Sequence, residues 1–259
     1  MMNIEQSHEH KADFQTRGAV IRMRNVCKSF GNNHVLKDVN LDLNNGENLV
    51  VLGKSGSGKS VLIKCIIGLI KPDKGTVEIF EKNITALNRE ELDRIRQKVG
   101  FLFQSNALYD SMSVRQNLEF PLRRHSLKIS REETDRLVME ALMNVGLENT
   151  IDLKPSELSG GMKKRVALAR TLILKPEIIL YDEPTTGLDP ATSTEISKLM
   201  TELAKKYHTS SIIISHDMNC VKITADRVVM LVDGQCNVQG TYEELKNSSD
   251  PIISSFFIK

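Results

Sequence analysis

The stretch "NLVVLGKSGSGKSVLI", residues 48–63, joins a short apolar run to a glycine-rich loop and then to a second apolar run. The first run, NLVVL, is typical of a strand that is buried on both faces of a sheet. The loop fits the pattern G-x-x-x-x-G-K-[ST], in which backbone N–H groups and the positive end of the following helix bind phosphates. The stretch therefore predicts a strand, a phosphate-binding loop and a helix in succession.

Two side chains of the loop have predicted roles toward a nucleotide. Lys59 is expected to reach the β- and γ-phosphates, and Ser60 is expected to ligate Mg²⁺. The alternative is a Gly/Ser-rich loop that fits the pattern by chance, and the position between a buried strand and a helix disfavours it. The residues that we expect to contact the nucleotide are Gly53, Ser55, Gly56, Ser57, Gly58, Lys59 and Ser60.

A second strand-like run, IILYDEP at residues 178–184, ends in two carboxylates. Ligands of parallel sheets bind at the carboxyl ends of the strands, so both acids are expected near the loop. There Asp182 would hold Mg²⁺ through water, and Glu183 would orient and deprotonate the attacking water. The alternative interpretation is a pair of surface acids at a strand end.

Strand-like and helix-like runs alternate along most of the chain, which favours an α/β fold with a mostly parallel sheet. NLVVL, EIILY and SIIIS predict buried strands, whereas AVIRMRNV, KDVNLDL and GTVEIF alternate apolar and polar residues as half-buried strands do. Asp233-Gly234 predicts a hairpin turn within RVVMLVDGQCNVQG. The helix after the glycine loop is expected to stop at Lys71-Pro72.

Residues from about 105 to 158 have mostly helical periodicity. Ser130 and Glu133 are expected to form a capping box at the start of one helix. Gly146 is expected to end that helix. The apolar residues that share one of its faces are Leu137, Val138, Ala141, Leu142 and Val145. The segment therefore predicts a helical insertion in the α/β domain.

Composition argues against several other classes of protein. The 259 residues carry a net charge of +2, which gives no indication of a nucleic-acid partner. The four cysteines form no CxxC pair, which favours reduced thiols over a disulfide framework or a zinc site. The longest apolar run, VLIKCIIGLI, has ten residues, whereas a membrane-spanning helix needs about 20. Residues 1–18 are polar and are expected to form a disordered tail, not a signal peptide.

Six motifs follow one another between about Ile21 and Gly240: GKSGSGKS, FLFQSN, LSGGM, IILYDEP, GLDP and ISHD. In this order they resemble the ATP-binding cassette (ABC) ATPases, the nucleotide-binding subunits of ABC transporters. The resemblance implies a P-loop NTPase core with a mostly parallel sheet, an N-terminal antiparallel β subdomain and a helical subdomain. It also implies a cassette at residues 19–245, with the helical subdomain at about 105–160, between tails at residues 1–18 and 246–259.

The motif LSGGM, residues 158–162, is similar to the signature of that family. There the signature caps the γ-phosphate of ATP held by a second cassette in a head-to-tail dimer, so Ser159, Gly160 and Gly161 are expected to bind the ATP of a second copy. Their position before a helix makes them a second anion site of the helix-N-terminus type. The alternative is a Gly-Gly hinge without a ligand. Met162 replaces the family's most frequent Gln, and we expect ATP binding to survive this change.

The resemblance implies roles for four further residues. Gln104 lies where the Q-loop glutamine of the family contacts Mg²⁺ or the lytic water and senses the membrane partner. Asp189 matches the D-loop, which crosses the dimer interface. His216 matches the switch histidine, which touches the γ-phosphate. Phe30 lies where the family places an aromatic ring against adenine, although a Phe near a strand end is often a core residue.

The segment FLFQSNALYDSMSVRQNLEFPLRRH, with its helical part at residues 113–125, resembles the phospholipid-trafficking cassettes of the Mla (maintenance of lipid asymmetry) system, which serve MCE-protein transporters. The Met-containing signature and the closing SSDPIISSFF share this resemblance. It implies an ATPase on the cytoplasmic face of the inner membrane, working with integral-membrane permease subunits and an MCE-type lipid-binding protein.

Three alternatives stay open at this stage. The first is the ATPase of a small-molecule importer, of amino acids for example. The second is a DNA-repair or chromosome-type ABC ATPase, which the separation of about a hundred residues between the two glycine motifs disfavours because it holds no sustained heptads. The third is a catalytically inactive regulatory cassette, which the presence of Lys59, Asp182, Glu183 and His216 disfavours.

Overall fold

Ten strands form two sheets in the part of the chain that the structure, a computed structural model, describes: residues 18–124 and 129–257. The predicted N-terminal tail lies outside the described residues, apart from Gly18. His125, the last residue of the predicted helical part at 113–125, also lies outside them. The strands are β1 (Ala19–Phe30), β2 (Asn33–Asn44), β3 (Asn48–Leu52), β4 (Lys74–Ile79), β5 (Lys82–Asn83), β6 (Val99–Leu102), β7 (Ile178–Asp182), β8 (Ser210–Ser215), β9 (Arg227–Val232) and β10 (Gln235–Gly240).

The two sheets differ in strand direction. The first has the order β2-β1-β4-β5 and is antiparallel throughout. The second has the order β10-β9-β3-β8-β7-β6 and is parallel, except that β10 runs antiparallel to β9. Asp233 and Gly234 turn that last hairpin with φ of 50° and 83°, as a two-residue turn requires. The predicted α/β class, its mostly parallel sheet and its antiparallel β subdomain are therefore confirmed.

β3 contributes to both hydrophobic cores of the described residues, because successive side chains of a strand point to opposite faces. Leu49 and Val51 pack with the antiparallel sheet, and Val50 and Leu52 pack on the side of the helical segment. All four side chains are buried, and full burial of one such side chain contributes about 1.5–3 kcal/mol. The strand that leads into the glycine loop is therefore fixed on both faces.

Nine α-helices and two short 3-10 turns complete the described residues. None of these helices is both long enough and apolar enough to span a bilayer. Two of them, Val114–Arg124 and Arg131–Met143, lie in the predicted helical insertion. The division of the chain into domains stays a prediction. The helices are α1 (Lys59–Ile66), α2 (Arg89–Gln97), α3 (Val114–Arg124), α4 (Arg131–Met143), α5 (Gly160–Leu172), α6 (Pro190–Tyr207), α7 (Met218–Thr224), α8 (Tyr242–Lys246) and α9 (Pro251–Ser254).

The end of α1 differs from the prediction. The helix was expected to reach Lys71-Pro72, but it ends at Ile66. Gly68 follows with a φ of 71°, and the N–H of Leu69 bonds the carbonyl of Lys64 at 2.9 Å. This is the pattern of a Schellman motif, in which a left-handed glycine closes the last turn. The proline is not the residue that stops the helix.

The start of α4 also corrects a detail. Ser130 caps the helix, because its hydroxyl accepts a hydrogen bond from the N–H of Glu133 at 3.1 Å. The reciprocal bond of a capping box is not formed, since the Glu133 carboxylate instead pairs with Arg136 at 2.7 Å. The predicted helix start is right and the predicted capping box is wrong.

Candidate active site

Four parallel strands bring the predicted phosphate-binding, metal-binding and catalytic residues to one edge of the second sheet. β3 leads into the glycine loop, β6 leads to Gln104, β7 ends at Asp182 with Glu183 directly after it, and β8 leads to His216. Carboxyl ends of neighbouring parallel strands lie side by side, which is where α/β proteins bind ligands. Residues that are far apart in the sequence therefore meet at this edge.

Close packing requires glycine at two positions of the loop. A Cβ on Gly53 would lie 2.6 Å from Ser57 Oγ and 2.8 Å from the carbonyl oxygen of Leu231. Gly58, which caps α1, has a φ of 101°, and its Cβ would lie 2.8 Å from Val35 Cγ1. Only glycine lets the backbone turn into the helix here.

Lys59 lies inside the loop. Its side chain is 5% exposed, and its ammonium donates to the carbonyl oxygens of Gly53 at 2.8 Å and Lys54 at 3.0 Å. Ser57 Oγ is buried and has no hydrogen-bond partner among the described residues. A triphosphate would accept hydrogen bonds from the Lys59 ammonium and from the unpartnered Ser57 hydroxyl. The loop therefore fits ATP.

A hydroxyl and a carboxylate meet beside the loop. Ser60 Oγ donates to Asp182 Oδ1 at 3.0 Å. Burial raises the pKa of Asp182, and the hydrogen bond from Ser60 opposes that rise. Residues 18–124 and 129–257 contain no group of three or more His, Cys, Asp or Glu side chains that could hold a metal ion by themselves. One carboxylate and one hydroxyl fit Mg²⁺, which keeps several waters and takes its remaining ligands from substrate phosphates.

Glu183 and His216 form a hydrogen-bonded pair. Glu183 Oε2 lies 2.8 Å from His216 Nδ1, and Glu183 Oε1 lies 3.5 Å from the Lys59 ammonium. Thr186 Oγ1 also donates to Glu183 Oε2 at 3.2 Å. The carboxylate is mostly buried, whereas the imidazole is 57% exposed. Glu183 has a φ of 52°, and such left-handed non-glycine backbone occurs preferentially at functional sites.

Gln104 lies at the same edge, at the start of the loop after β6, and its side chain is exposed. Its backbone carbonyl oxygen accepts a hydrogen bond from Lys164 Nζ of α5 at 3.2 Å. Burial lowers the pKa of Lys164 to about 8, and the Asp182 carboxylate opposes that shift. Sequence reasoning missed Lys164, although its spacing of three and four residues from Ala167 and Leu168 places it on the buried face of α5.

The residues of the LSGGM motif form the N-terminus of α5. Ser159 is the N-cap, and its hydroxyl accepts from the N–H of Met162 at 3.2 Å. Ser159 and Gly160 are exposed, and the first turn carries no acidic residue. A Cβ on Gly161 would lie 2.7 Å from Thr192 Cγ2. This end of the helix suits an anion, and its role toward a second nucleotide stays a prediction.

Asp189 and Phe30 lie apart from the hydrogen bonds of the site. Asp189 caps α6 by accepting from the N–H groups of Ala191 and Thr192, both at 3.0 Å. Phe30 ends β1 with half of its surface exposed, and Lys28 Nζ lies 5.4 Å from its ring centroid. Their contacts with the dimer partner and with adenine stay predictions.

Comparison with known proteins gives one family. The family described as ABC transporter matches residues 36–186. The probable ribonucleotide transport ATP-binding protein mkl of Mycobacterium leprae is 40% identical over 92% of this chain and 69% of its own length. The intermembrane phospholipid transport system ATP-binding protein MlaF of Escherichia coli is 36% identical over 93% of this chain and 90% of its own length.

Two further proteins extend the comparison. The methionine import ATP-binding protein MetN of Clostridium tetani is 34% identical over 87% of this chain and 70% of its own length. Among solved structures, a dimeric post-hydrolysis state of the ATP-binding cassette MJ0796, bound to ADP and Pi, is 34% identical with a TM-score of 0.78. That match covers 86% of this chain and 98% of the solved one.

Proposed function

Because this chain belongs to the ABC transporter family and is one of its ATP-hydrolysing subunits, we propose that it drives the movement of phospholipid between the membranes of a bacterial envelope. One observation carries the proposal: the similarity to the phospholipid transport protein MlaF extends over 90% of that protein. The Met162-containing signature, the segment at 101–125 and the closing SSDPIISSFF support it through the resemblance already described.

A small-molecule importer is the second candidate. The similarity to a methionine import protein and to a probable ribonucleotide transport protein favours it. The ATPase site is equally suited to either cargo, because it converts ATP into movement of a partner and does not touch the transported molecule. The substrate is therefore decided by the membrane partner.

Nucleotide binding is assigned to the loop and to the two strand ends beside it. ATP supplies the phosphoanhydride bond that is broken. Lys59 would bind the β- and γ-phosphates, and the backbone from Gly53 to Gly58 would surround them. Mg²⁺ would be held by Ser60 and Asp182, which already lie 3.0 Å apart, and by Gln104.

Proton transfer is assigned to Glu183. Its carboxylate would accept a proton from the attacking water, as a general base does. His216 would orient that carboxylate through the 2.8 Å contact between Nδ1 and Oε2, and it would touch the γ-phosphate. Burial of Glu183 beside Lys59 limits the carboxylate to few orientations, which suits a group that must point at one water.

A second copy of the chain would complete each site. Ser159, Gly160 and Gly161 would bind the phosphates of the ATP held by the other copy, and Asp189 would lie at the interface between the copies. The dimeric state of the solved cassette bound to ADP and Pi supports this arrangement. Further partners would be permease subunits and an MCE-type lipid-binding protein, with the ATPase on the cytoplasmic face of the inner membrane.

The test of phospholipid transport is a gene deletion with two readouts, outer-leaflet phospholipid and uptake of small solutes. We expect misplaced phospholipid and detergent sensitivity with normal solute uptake. The wild-type gene should restore the envelope, whereas a gene carrying Glu183→Gln should not. An intact envelope with loss of growth on one nutrient would favour the importer instead.

A further inference from the structure

Helix α5 holds the segment of residues 103–109, which we call the Gln104 segment, at two places. Arg170 donates to the carbonyl oxygens of Asn106 at 2.9 Å and Ala107 at 2.8 Å. Both of these residues have positive φ, 64° and 50°, and left-handed backbone is unfavourable for a non-glycine residue. Arg170 therefore fixes a strained backbone, and Lys164 binds the same segment at Gln104 itself.

Lys164 is an unusual residue for this position because it is only 2% exposed. Its ammonium has three donors, yet within residues 18–124 and 129–257 it makes one hydrogen bond, to the carbonyl of Gln104. Burying a charge with one hydrogen bond costs stability, and the attraction of the Asp182 carboxylate offsets only part of that cost, since burial still lowers the pKa of Lys164. Stability alone does not account for a lysine.

The helix that carries Lys164 begins at the LSGGM motif. Gly160 is its first residue, and Lys164 follows four residues later, about one helical turn. A helical turn is stiff, so the N-terminus of α5 and the Lys164 ammonium move together. The hydrogen bond to Gln104 extends this rigid connection to the strand edge that carries Asp182.

We propose that Lys164 is a positioning residue for ATP hydrolysis. It links the phosphate-binding end of α5 to Gln104 by holding the backbone carbonyl of Gln104, and so positions the Gln104 side chain. The inference rests on the roles proposed for Gln104 and for Ser159–Gly161 under the proposed function. The bond is already formed in the single chain, so Lys164 holds the backbone of Gln104 to the helix that would bind the nucleotide of the second copy. Binding of that nucleotide would therefore move or fix Gln104 together with α5.

The test compares two substitutions of Lys164 in the full chain, with phosphate release as the readout. Lys164→Met keeps the length of the side chain and removes the donor, and we expect kcat to fall about tenfold with KM for ATP within about threefold of wild type. Lys164→Gln keeps an N–H donor and should retain most of kcat. The melting temperature of Lys164→Met should be unchanged or raised, because a buried charge is removed.

The matched control is Lys198→Met, which removes an exposed lysine from α6 and should leave kcat and the melting temperature at the wild-type values. A Lys164→Met kcat within about twofold of wild type overturns the inference. Equal losses in the Met and Gln variants also overturn it, because the lost positive charge beside Asp182, and not the lost N–H donor, would then account for the effect. A kcat and a melting temperature that fall together indicate a merely structural role.

Gln104→Ala in the same assay separates this inference from the proposed function. If Gln104→Ala lowers kcat and Lys164→Met does not, the role of Lys164 is rejected while that of Gln104 stands. If Gln104→Ala leaves kcat unchanged, both roles are rejected. The phospholipid proposal is untouched in either case, because phosphate release does not measure the transported molecule.

Discussion

At the scale of single residues, we expect nucleotide binding to depend most on the ammonium of Lys59. We expect Lys59→Ala to weaken ATP binding about 100-fold or more, because the phosphate charge loses its charge-assisted hydrogen bonds. Fluorescent-nucleotide titration measures the effect, and Lys82→Ala, an exposed lysine of β5, is the control. ATP affinity within a few-fold of wild type would reject the assigned role.

Glu183 should affect the chemical step and not the binding step. Glu183→Gln preserves the shape of the side chain and removes the base, so we expect kcat to fall about 100-fold or more while ATP still binds. The ATP-bound dimer should then accumulate in gel filtration with Mg²⁺. Glu177→Gln, at an exposed pair with Lys98, should hydrolyse ATP normally. A Glu183→Gln protein that stays monomeric and turns over rapidly contradicts the prediction.

At the scale of elements, the sequence predicts the strands that build the site better than it predicts helix ends. β3, β7 and β8 are identifiable because continuous apolar runs of strand length lead into the candidate site residues. The end of α1 is not identifiable from the sequence, because Gly68 and Lys71-Pro72 are both possible stop signals. Only the structure shows that the chain turns at Gly68, before Pro72. Lys164 is also hidden, since periodicity places it on the buried face of α5 without showing that this face meets the Gln104 segment.

Gly68 should set the length of α1. We expect Gly68→Ala to lower the free energy of unfolding by about 1 kcal/mol, because alanine is strained at positive φ. Its Cβ would lie 3.5 Å from the Ile84 and Leu92 side chains, an ordinary contact, so strain and not a clash is responsible. Urea denaturation measures the change. Gly18→Ala, whose Cβ would meet nothing within 4 Å, is the control, and equal effects in both variants would count against the Schellman explanation.

At the scale of the whole molecule, the proposed head-to-tail dimer makes a prediction about mixed dimers. Ser159→Arg should block the site of the other copy and leave its own loop intact. In a dimer of one Ser159→Arg chain and one Lys59→Ala chain, one composite site keeps both Lys59 and Ser159, and it should still trap ATP. The two chains carry different tags, so the mixed dimer can be purified through both tags in turn, and the radiolabelled ATP that it retains is then measured. If the mixed dimer traps no ATP while the wild-type dimer does, then either the signature of one copy does not serve the site of the other, or the two sites cannot close independently.

The pairing of β3 has a consequence for synthesis on the ribosome. Asn48 pairs with Ser211 in β8, and Leu49 pairs with Arg227 in β9, so both neighbours of β3 lie roughly 160 or more residues further along the chain. At about 5–20 residues per second, β3 waits about 10–30 s after its own translation before β8 is made. An apolar strand with two open edges attracts other chains during that time. Until β8 and β9 are made, this strand is therefore a site where the nascent protein would aggregate, and the glycine loop, although translated early, is among the last parts of the molecule to take its final form.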